Sequence, residues 1–499
     1  MGDFSGLTVV SNRLPVVMKV TDGGGWHVQP GSGGLIQALH PVLAQQGGCW
    51  VGWPGVGPKA PPGWKAGLDR VSADSGYELR PVLLNEVDRI GFYEGFANSV
   101  LWPLFHGFPD RAEFRPQFYE AYERVNQAFR KEVQTCTDQE SFIWVHDYHF
   151  LPLARHLKQA GHRGRLAFFL HIPFPSVENF AKLPWREELL RDLLHFDLLG
   201  FQTNRDLHHF CRAVESLQIG LTEPIGPGRR AIEFLGRTLR AGAFPIGMDF
   251  TEFSTRAESP DVSRRVEELQ SEIGPYQFLL GVDRLDYSKG LLHRLRAYEL
   301  ALENDPSLHE KIVFFQLVVP SRENVPEYQA LKREFDRIVG RINGRFSTPG
   351  WQPIHYLYNR VSPLELTALY RLASVALVTP LRDGMNLVAK EFCASQVDRN
   401  GVLLLSEFAG AAEQLHHGAL LVNPYDVAAT ADAISEAISM PIEERIRRMD
   451  AMRRVIKEKD VYWWAETFLQ EAMTSVEEVH QHVIDTRFGH PRSSTPQQG

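Results

Sequence analysis

The chain has 499 residues, 43% apolar and 23% charged, more than one hydrophobic core usually organises, so two domains are expected. Its 53 basic and 61 acidic side chains leave a net charge of −8, which excludes a broad cationic face for a nucleic-acid backbone or a membrane surface. The four cysteines, Cys49, Cys136, Cys211 and Cys393, show no CxxC spacing and no nearby histidine pair, and are read as reduced, small core residues.

The start, MGDFSGLTVVSNR, lacks a basic region followed by a long apolar one, and no run reaches the ~18–20 apolar residues of a membrane span, so a cytoplasmic location is expected. Short β-rich runs then alternate with helical patterns, which predicts an α/β protein with parallel sheets. In the first half, strands are expected at 8–12, 141–146, 166–171 and 197–202, with a helix over 116–136. In the second half the runs 278–282, 312–319, 375–379 and 402–406 repeat the arrangement, separated by helices near 291–302, 326–339 and 386–393. The boundary is placed where Phe244-Pro245-Ile246-Gly247 gives way to a polar stretch, so the domains read 1–247 and 248–484. The amphipathic stretch 441–480 either finishes the second domain or packs back on the first, and 485–499 has too few apolar residues to order.

Ligands of open parallel sheets bind at the carboxyl ends of strands, so the loops there carry the candidate chemistry. Ser11-Asn12-Arg13 closes the first strand, and Gly31-Ser32-Gly33-Gly34-Leu35 opens a helix whose amides can approach an oxygen or phosphate. The GxGxxG dinucleotide pattern is absent there. His146-Asp147-Tyr148-His149 suits either a metal or sugar hydroxyls, and no further ligands at recognisable spacing support the metal. His171 is followed by Pro173 and Pro175, which stiffen its loop. Arg284 and Lys289 place two cations in one strand-to-helix loop, a geometry suited to a diphosphate. The run from Pro380 to Glu391 repeats strand end, glycine turn and helix start, so amides at Met385, Asn386 and Leu387 can meet phosphate oxygens while Glu391 reaches a ribose.

From about Leu7 to Leu469 the sequence resembles the trehalose-6-phosphate synthases, retaining glycosyltransferases of the GT-B type with two Rossmann-like domains facing across a cleft. The segments VSNRLP, GSGGL, FYEGFANSVLWPLFH, VHDYH, FFLHIPFP, LPWR, LLGFQT, DRLDYSKG, RINGR, TPLRDGMNLVAKE, SEFAGAAE and VNPYD carry the resemblance, in order. It implies transfer of glucose from a nucleoside-diphosphate glucose to glucose 6-phosphate, with the donor's anomeric configuration kept and neither cofactor nor metal required. Arg284 and Lys289 then match the clamp on the leaving diphosphate. Glu391 matches the ribose contact, Gly384 to Leu387 the phosphate loop, and Asp383 the carboxylate on the donor sugar. Gly34 and His171 match donor contacts contributed by the first domain. Arg13, Tyr93, Trp102 and Arg322 match the group around the acceptor phosphate, and Asp147 the residue that orients the acceptor glucose. His171, Asp147, Arg284 and Lys289 are the implied catalytic set.

No carboxylate pair of the kind retaining glycosidases use is evident; the resemblance implies that the acceptor hydroxyl attacks on the face the diphosphate leaves, with His171 supporting the developing charge. UDP-glucose is the preferred donor; Val361, in the base-contacting stretch 356–361, stands where some members carry an aromatic residue, which keeps GDP- and ADP-glucose open. The related glucosylglycerol-phosphate synthases, which use glycerol 3-phosphate, are the alternative reading, and a catalytically idle sugar-phosphate regulator is a remote one. The expected partners are small molecules, with a homo-oligomer left open. Too few residues follow about position 480 for a fused phosphatase.

Overall fold

The computed structural model describes residues 6–20, 26–31, 34–60, 63–322 and 325–474. The chain divides into two units, one formed by the described parts of Met1–Ser32, Leu39–Phe244 and Glu466–Gly499, the other by those of Gly33–Ala38 and Pro245–Ala465. The expected tail, 485–499, lies outside the described residues.

The first unit contains β1 (Thr8–Arg13), a ribbon of β2 (Val16–Val20) and β3 (Trp26–Pro30), then β4 (Cys49–Trp53), β5 (Glu78–Pro81), β6 (Ile143–His146), β7 (Leu166–Phe169) and β8 (Leu198–Phe201). It ends in an antiparallel extension of β9 (Leu221–Gly226), β10 (Arg229–Phe234) and β11 (Arg237–Ala243). The main sheet runs β5-β4-β1-β6-β7-β8-β11-β10-β9. Its first six members are parallel and reverse direction of travel between β1 and β6, so the crevice outside those two strand ends is a topological switch point. Strands β6, β7 and β8 are buried throughout, as expected of strands covered on both faces. Gly200 in β8 leaves room for two rings, since a Cβ there would stand 2.5 Å from Phe468 and 2.6 Å from Phe169. Phe468, on the helix Val461–Met473, also stacks on Trp144 at 4.7 Å.

The second unit contains β12 (Gln277–Arg284), β13 (Ile312–Val319), β14 (Ile354–Tyr358), β15 (Val375–Val378), β16 (Val402–Ser406) and β17 (Leu420–Val422). They form one parallel sheet in the order β14-β13-β12-β15-β16-β17, the doubly wound arrangement with its switch point between β12 and β15. The stretch from 441 onward is two helices, Ile442–Glu458 and Val461–Met473, broken at Lys459 and Asp460.

Two features depart from the sequence reading. The segment 90–101 is a twelve-residue π-helix, in which the Asn98 side-chain amide and the Ser99 hydroxyl also donate to the carbonyls of Tyr93 and Glu94. Cys136, read as a core residue, is instead half-buried at the end of the helix Pro116–Cys136, and its sulfur lies 3.0 Å from that of Cys49.

Candidate active site

In the first unit, the side chains at the switch point rest on a layered aromatic support. Arg13, the last residue of β1, lies with its guanidinium carbon 4.5 Å from the Trp53 ring and 5.7 Å from the Tyr93 ring. Gly52 permits this approach, because a Cβ would meet the backbone of Arg13 and Leu14 at 2.6–3.0 Å. The Tyr93 ring stacks on His149, and Trp102 packs 4.1 Å from His106 and 5.9 Å from Tyr148. Tyr148 donates to Asn98 Oδ1 at 3.0 Å, so the strand-end loop and the π-helix are held together. Behind them Tyr122 donates to the carbonyl of Tyr148 and Asn126 to that of His149, from the helix Pro116–Cys136. Arg13, Tyr93 and Trp102 are therefore brought to one strand-end cluster.

Asp147 follows β6 at φ 76° and ψ 167°, a positive-φ conformation unusual for a residue with a side chain. Two bonds to the next strand end hold it there: its amide donates to Phe169, and its Oδ1 accepts from the amide of His171 at 3.2 Å. Beside it the imidazoles of His146 and His171 meet at 3.1 Å between Nδ1 and Nε2, and Gln202 Nε2 donates to His171 Nδ1 at 3.5 Å. Burial pushes His171 down to about 3, and burial together with the neighbouring imidazole pushes His146 far down as well. Both rings are consequently neutral at physiological pH.

In the second unit the loops after β12 and β15 interlock. Asp286 Oδ1 accepts from the Ser288 amide, closing the turn Tyr287–Lys289, and Ser288 accepts from the amide of Leu381 at 2.7 Å. Gly290 (φ 67°) is required at the crossing, since a Cβ would stand 2.1 Å from the carbonyl oxygen of Thr379. Lys289 Nζ donates to Asp383 Oδ2 at 2.5 Å, and Asn386 Nδ2 reaches the same oxygen at 3.1 Å. Asn386, itself left-handed at φ 76°, accepts from Ala389 and caps the nine-residue helix Leu387–Ser395. The first-turn amides of that helix have no acceptor within it, and its dipole favours an anion at this end. Glu391 follows one turn on, accepting a hydrogen bond from the Tyr370 hydroxyl at 2.9 Å, and burial pushes its carboxyl up.

Arg322, in a left-handed conformation at φ 49° after β13, donates to the Tyr328 hydroxyl, which donates in turn to Asp286. Its guanidinium lies 3.5 Å from Asp286. Burial alone would push the Asp286 carboxyl up, and the cations of Arg322, Arg284 and Lys289 together hold it below the usual carboxylate range. Three cations thus converge around one buried carboxylate at the switch point. Arg322 shares this second-unit cluster with Arg284 and Lys289, whereas Arg13, Tyr93, Trp102, Asp147 and His171 belong to the first unit. Gly34 opens the helix Gly34–Gln46 and is grouped with the second unit; Ser32 and Gly33 lie outside the described residues. Arg360 and Val361 follow the edge strand β14.

Sequence reasoning missed the residue beneath this cluster. Arg294, 1% exposed, donates to Asp283 Oδ2 at 2.5 Å, Gln316 Oε1 at 2.9 Å and Thr379 Oγ1 at 2.9 Å, and reaches the Lys289 carbonyl at 3.4 Å. It joins β12, β13, the end of β15 and the Lys289 loop. A signal was present: Leu291, Arg294, Leu295 and Tyr298 fall on one helical stripe, so a cation sits where an apolar residue is expected. Among the described residues no group of three or more His, Cys, Asp and Glu side chains is placed to hold a metal ion. A cavity of about 610 Å³ lined by Ile219, Leu221, Phe234, Leu235 and Arg237 opens near the start of β11, at the sheet edge opposite the switch point.

Two Rossmann-like units with parallel sheets define a GT-B glycosyltransferase fold. Residues 5–474 match the model of glycosyltransferase family 20. A Thermoproteus tenax bifunctional trehalose-6-phosphate synthase/phosphatase is 42% identical over 94% of this chain, and a Mycolicibacterium paratuberculosis trehalose-6-phosphate synthase is 40% identical over 93% of this chain and 94% of its own. The chain spans 64% of the Thermoproteus tenax protein and 62% of a similar one from Dictyostelium discoideum. A Burkholderia xenovorans alpha,alpha-trehalose-phosphate synthase (UDP-forming) in complex with glucose-6-phosphate is 36% identical with a TM-score of 0.84, covering 94% of this chain and 100% of that one. An E. coli structure described as bound with UDP-2-fluoro glucose is 36% identical with the same TM-score of 0.84, covering 95% and 100%. The chain belongs to glycosyltransferase family 20, the family of the trehalose-6-phosphate synthases. Among the described residues no helix is long and apolar enough to cross a membrane.

Proposed function

We propose that this chain transfers glucose from UDP-glucose to glucose 6-phosphate with retention at the anomeric carbon, giving trehalose 6-phosphate and UDP. The observation that carries the reading is the gathering of Arg284 and Lys289 around Asp286 at one switch point, beside Asp383 and a capped helix start. Such a cluster stabilises the charge that develops as a diphosphate leaves, a role that other transferases give to a divalent ion. Arg284, Lys289 and the amides of Gly384 to Leu387 take the diphosphate, Asp383 the donor-sugar hydroxyls and Glu391 the ribose.

Arg13, Tyr93 and Trp102 take the acceptor phosphate with Arg322, and Asp147 orients the acceptor sugar. His171, neutral and lodged against His146, offers its ring to the transferred glucose rather than a positive charge. Gly34 contributes backbone to the donor. The glucose 6-phosphate and UDP-2-fluoro glucose held by the two solved relatives support these substrate classes.

The test offers UDP-, GDP- and ADP-glucose against glucose 6-phosphate and glycerol 3-phosphate and identifies the product by mass and anomeric coupling. Trehalose 6-phosphate from UDP-glucose in the presence of a chelator supports the reading. Product only from glycerol 3-phosphate, an inverted linkage, or activity abolished by chelation and restored by magnesium overturns the corresponding part.

A further inference from the structure

Cys49 opens β4 and Cys136 ends the helix Pro116–Cys136, 87 positions later, yet the Cys49 thiol donates to the Cys136 sulfur at 3.0 Å. A disulfide needs about 2.05 Å between the sulfurs, so roughly 1 Å of approach is wanted. The geometry allows it. Cys136 is the last residue of its helix, followed by the extended Thr137 and the exposed residues 138–140, so this end of the chain can adjust without breaking a helical interior. Cys136 is half-buried and Cys49 is buried, which makes Cys136 the sulfur that a small solute reaches.

The surroundings favour a thiolate on Cys136. Arg80 on β5 contributes a guanidinium that acts on both thiols; its Nη2 pairs with Glu78, and its Nε is buried without a hydrogen-bond partner. Glu78 and, on the helix itself, Glu132 oppose it. The hydrogen bond from Cys49, reinforced by Arg80, holds the Cys136 thiol below its usual range, whereas that same contact and burial push Cys49 up. Cys211 and Cys393, by contrast, are buried thiols pushed up to about 12.

We propose that Cys49 and Cys136 form a peroxide-oxidisable dithiol, a modification site separate from the sugar chemistry, with Cys136 as the attacking sulfur and Cys49 as the resolving one. The Cys136 thiolate attacks one oxygen of hydrogen peroxide; the O–O bond breaks, hydroxide leaves, and Cys136 becomes a sulfenic acid. Cys49 then attacks the sulfenyl sulfur; the S–S bond forms, the S–O bond breaks, and the departing hydroxide leaves as water with the Cys49 proton. Overall two thiols and one peroxide give one disulfide and two waters, the sulfurs losing the two electrons that the peroxide gains. The bond closes the segment that carries Tyr93 and Trp102. It also joins two supports of the first-unit cluster, since β4 ends in Trp53 under Arg13 and the helix supplies Tyr122 and Asn126 behind Tyr148 and His149.

The full chain is exposed to hydrogen peroxide, alkylated without reduction, digested and analysed by mass spectrometry, with thermal unfolding recorded before and after. The expected result is a linked Cys49–Cys136 peptide formed about tenfold or more faster than Cys211 or Cys393 is modified. The unfolding midpoint rises by about 5–10 °C and returns on treatment with dithiothreitol. Cys49→Ser removes the linked peptide and leaves a Cys136 sulfenic acid trapped by dimedone. Cys136→Ser, at the half-buried position, abolishes both signals and serves if Cys49→Ser folds poorly. Both thiols remaining alkylable after oxidation, Cys136 passing to sulfinic acid with Cys49 intact, or linkage between two chains overturns the proposal.

Discussion

Replacing Arg294 with methionine isolates the bracket beneath the second-unit cluster. The Arg294 side chain is 1% exposed and that of its partner Asp283 3% exposed, so methionine keeps most of the volume while stranding a carboxylate out of water. Removing one partner of a buried, hydrogen-bonded ion pair costs about 3–5 kcal/mol. Gln316 Nε2 stands 3.5 Å from Asp283 Oδ2, too far to compensate much of that charge. The expected loss for Arg294→Met is therefore about 3–4 kcal/mol in the transition of the second unit, read from guanidinium-chloride unfolding as a lowered midpoint at unchanged slope. Adding Asp283→Asn removes the stranded charge, so the double variant should recover about 1–3 kcal/mol relative to the sum of the single changes. Gly281→Ala should disturb the same bracket, because its Cβ would meet Gln316 Oε1 at 2.4 Å and Arg294 Nη1 at 2.7 Å. Strict additivity of the two single changes, or a loss below about 1 kcal/mol for Arg294→Met, refutes the bracket as the element that fixes the Lys289 loop.

Lys289→Ala should lower kcat by about 100–1000-fold with a smaller change in donor KM, since the charge it meets develops at the leaving group; steady-state kinetics within about threefold of the parent would remove it from that role. Arg322→Ala should raise the acceptor KM more than the donor KM, and the opposite pattern would assign Arg322 to the donor side, as its neighbours Asp286 and Tyr328 alone would suggest. His146 and His171 are held neutral below the ordinary histidine value, so the native state binds fewer protons than the unfolded one; stability is present above about pH 6.5 and is lost below it by up to about 2.7 kcal/mol per pH unit. His146→Gln should make the slope shallower in chemical denaturation between pH 6.5 and 5, and an unchanged slope would sink the assignment.

The sheets were legible because most of their strands are continuous apolar runs bounded by turns: Ile312–Val319 and Val402–Ser406 coincide with the sequence reading to the residue. Helix Pro116–Cys136 was equally plain, with proline at its start and an apolar stripe of Ala121, Tyr122, Val125, Phe129 and Val133. Strands β2, β3, β4, β5, β9, β10, β14 and β17 were not among those expected: β5, β14 and β17 are short or only partly buried and β9 is mostly exposed, so neither strict alternation nor a long apolar run marks them, whereas β4 is buried throughout and was passed over. The π-helix escaped for a different reason. It is accompanied by side-chain bonds from Asn98 and Ser99 to carbonyls five residues back and by the close seat of Gly95 against Phe118, which no local pattern announces.

At the candidate site, residue types were readable but backbone strain was not, and the strain carries independent information. Seven non-glycine residues adopt positive φ among the described residues, and Asp147, Arg322 and Asn386 are three of them. Each lies in the connection that follows a strand bordering a switch point or its neighbour. Asn386 tolerates the left-handed region because its short side chain bonds locally to Ala389, and Asp147 is held by its bond from the His171 amide. Arginine has no such compensation. Arg322 is held instead by its bond to the Tyr328 hydroxyl and its approach to Asp286, both of them buried groups. A conformation that costs about 1 kcal/mol or more persists only where its surroundings over-determine it, so Arg322 is fixed beside Asp286 before any ligand arrives. Such fixation suits the anion site proposed above, because a donor already oriented toward a charge needs no rearrangement to meet it.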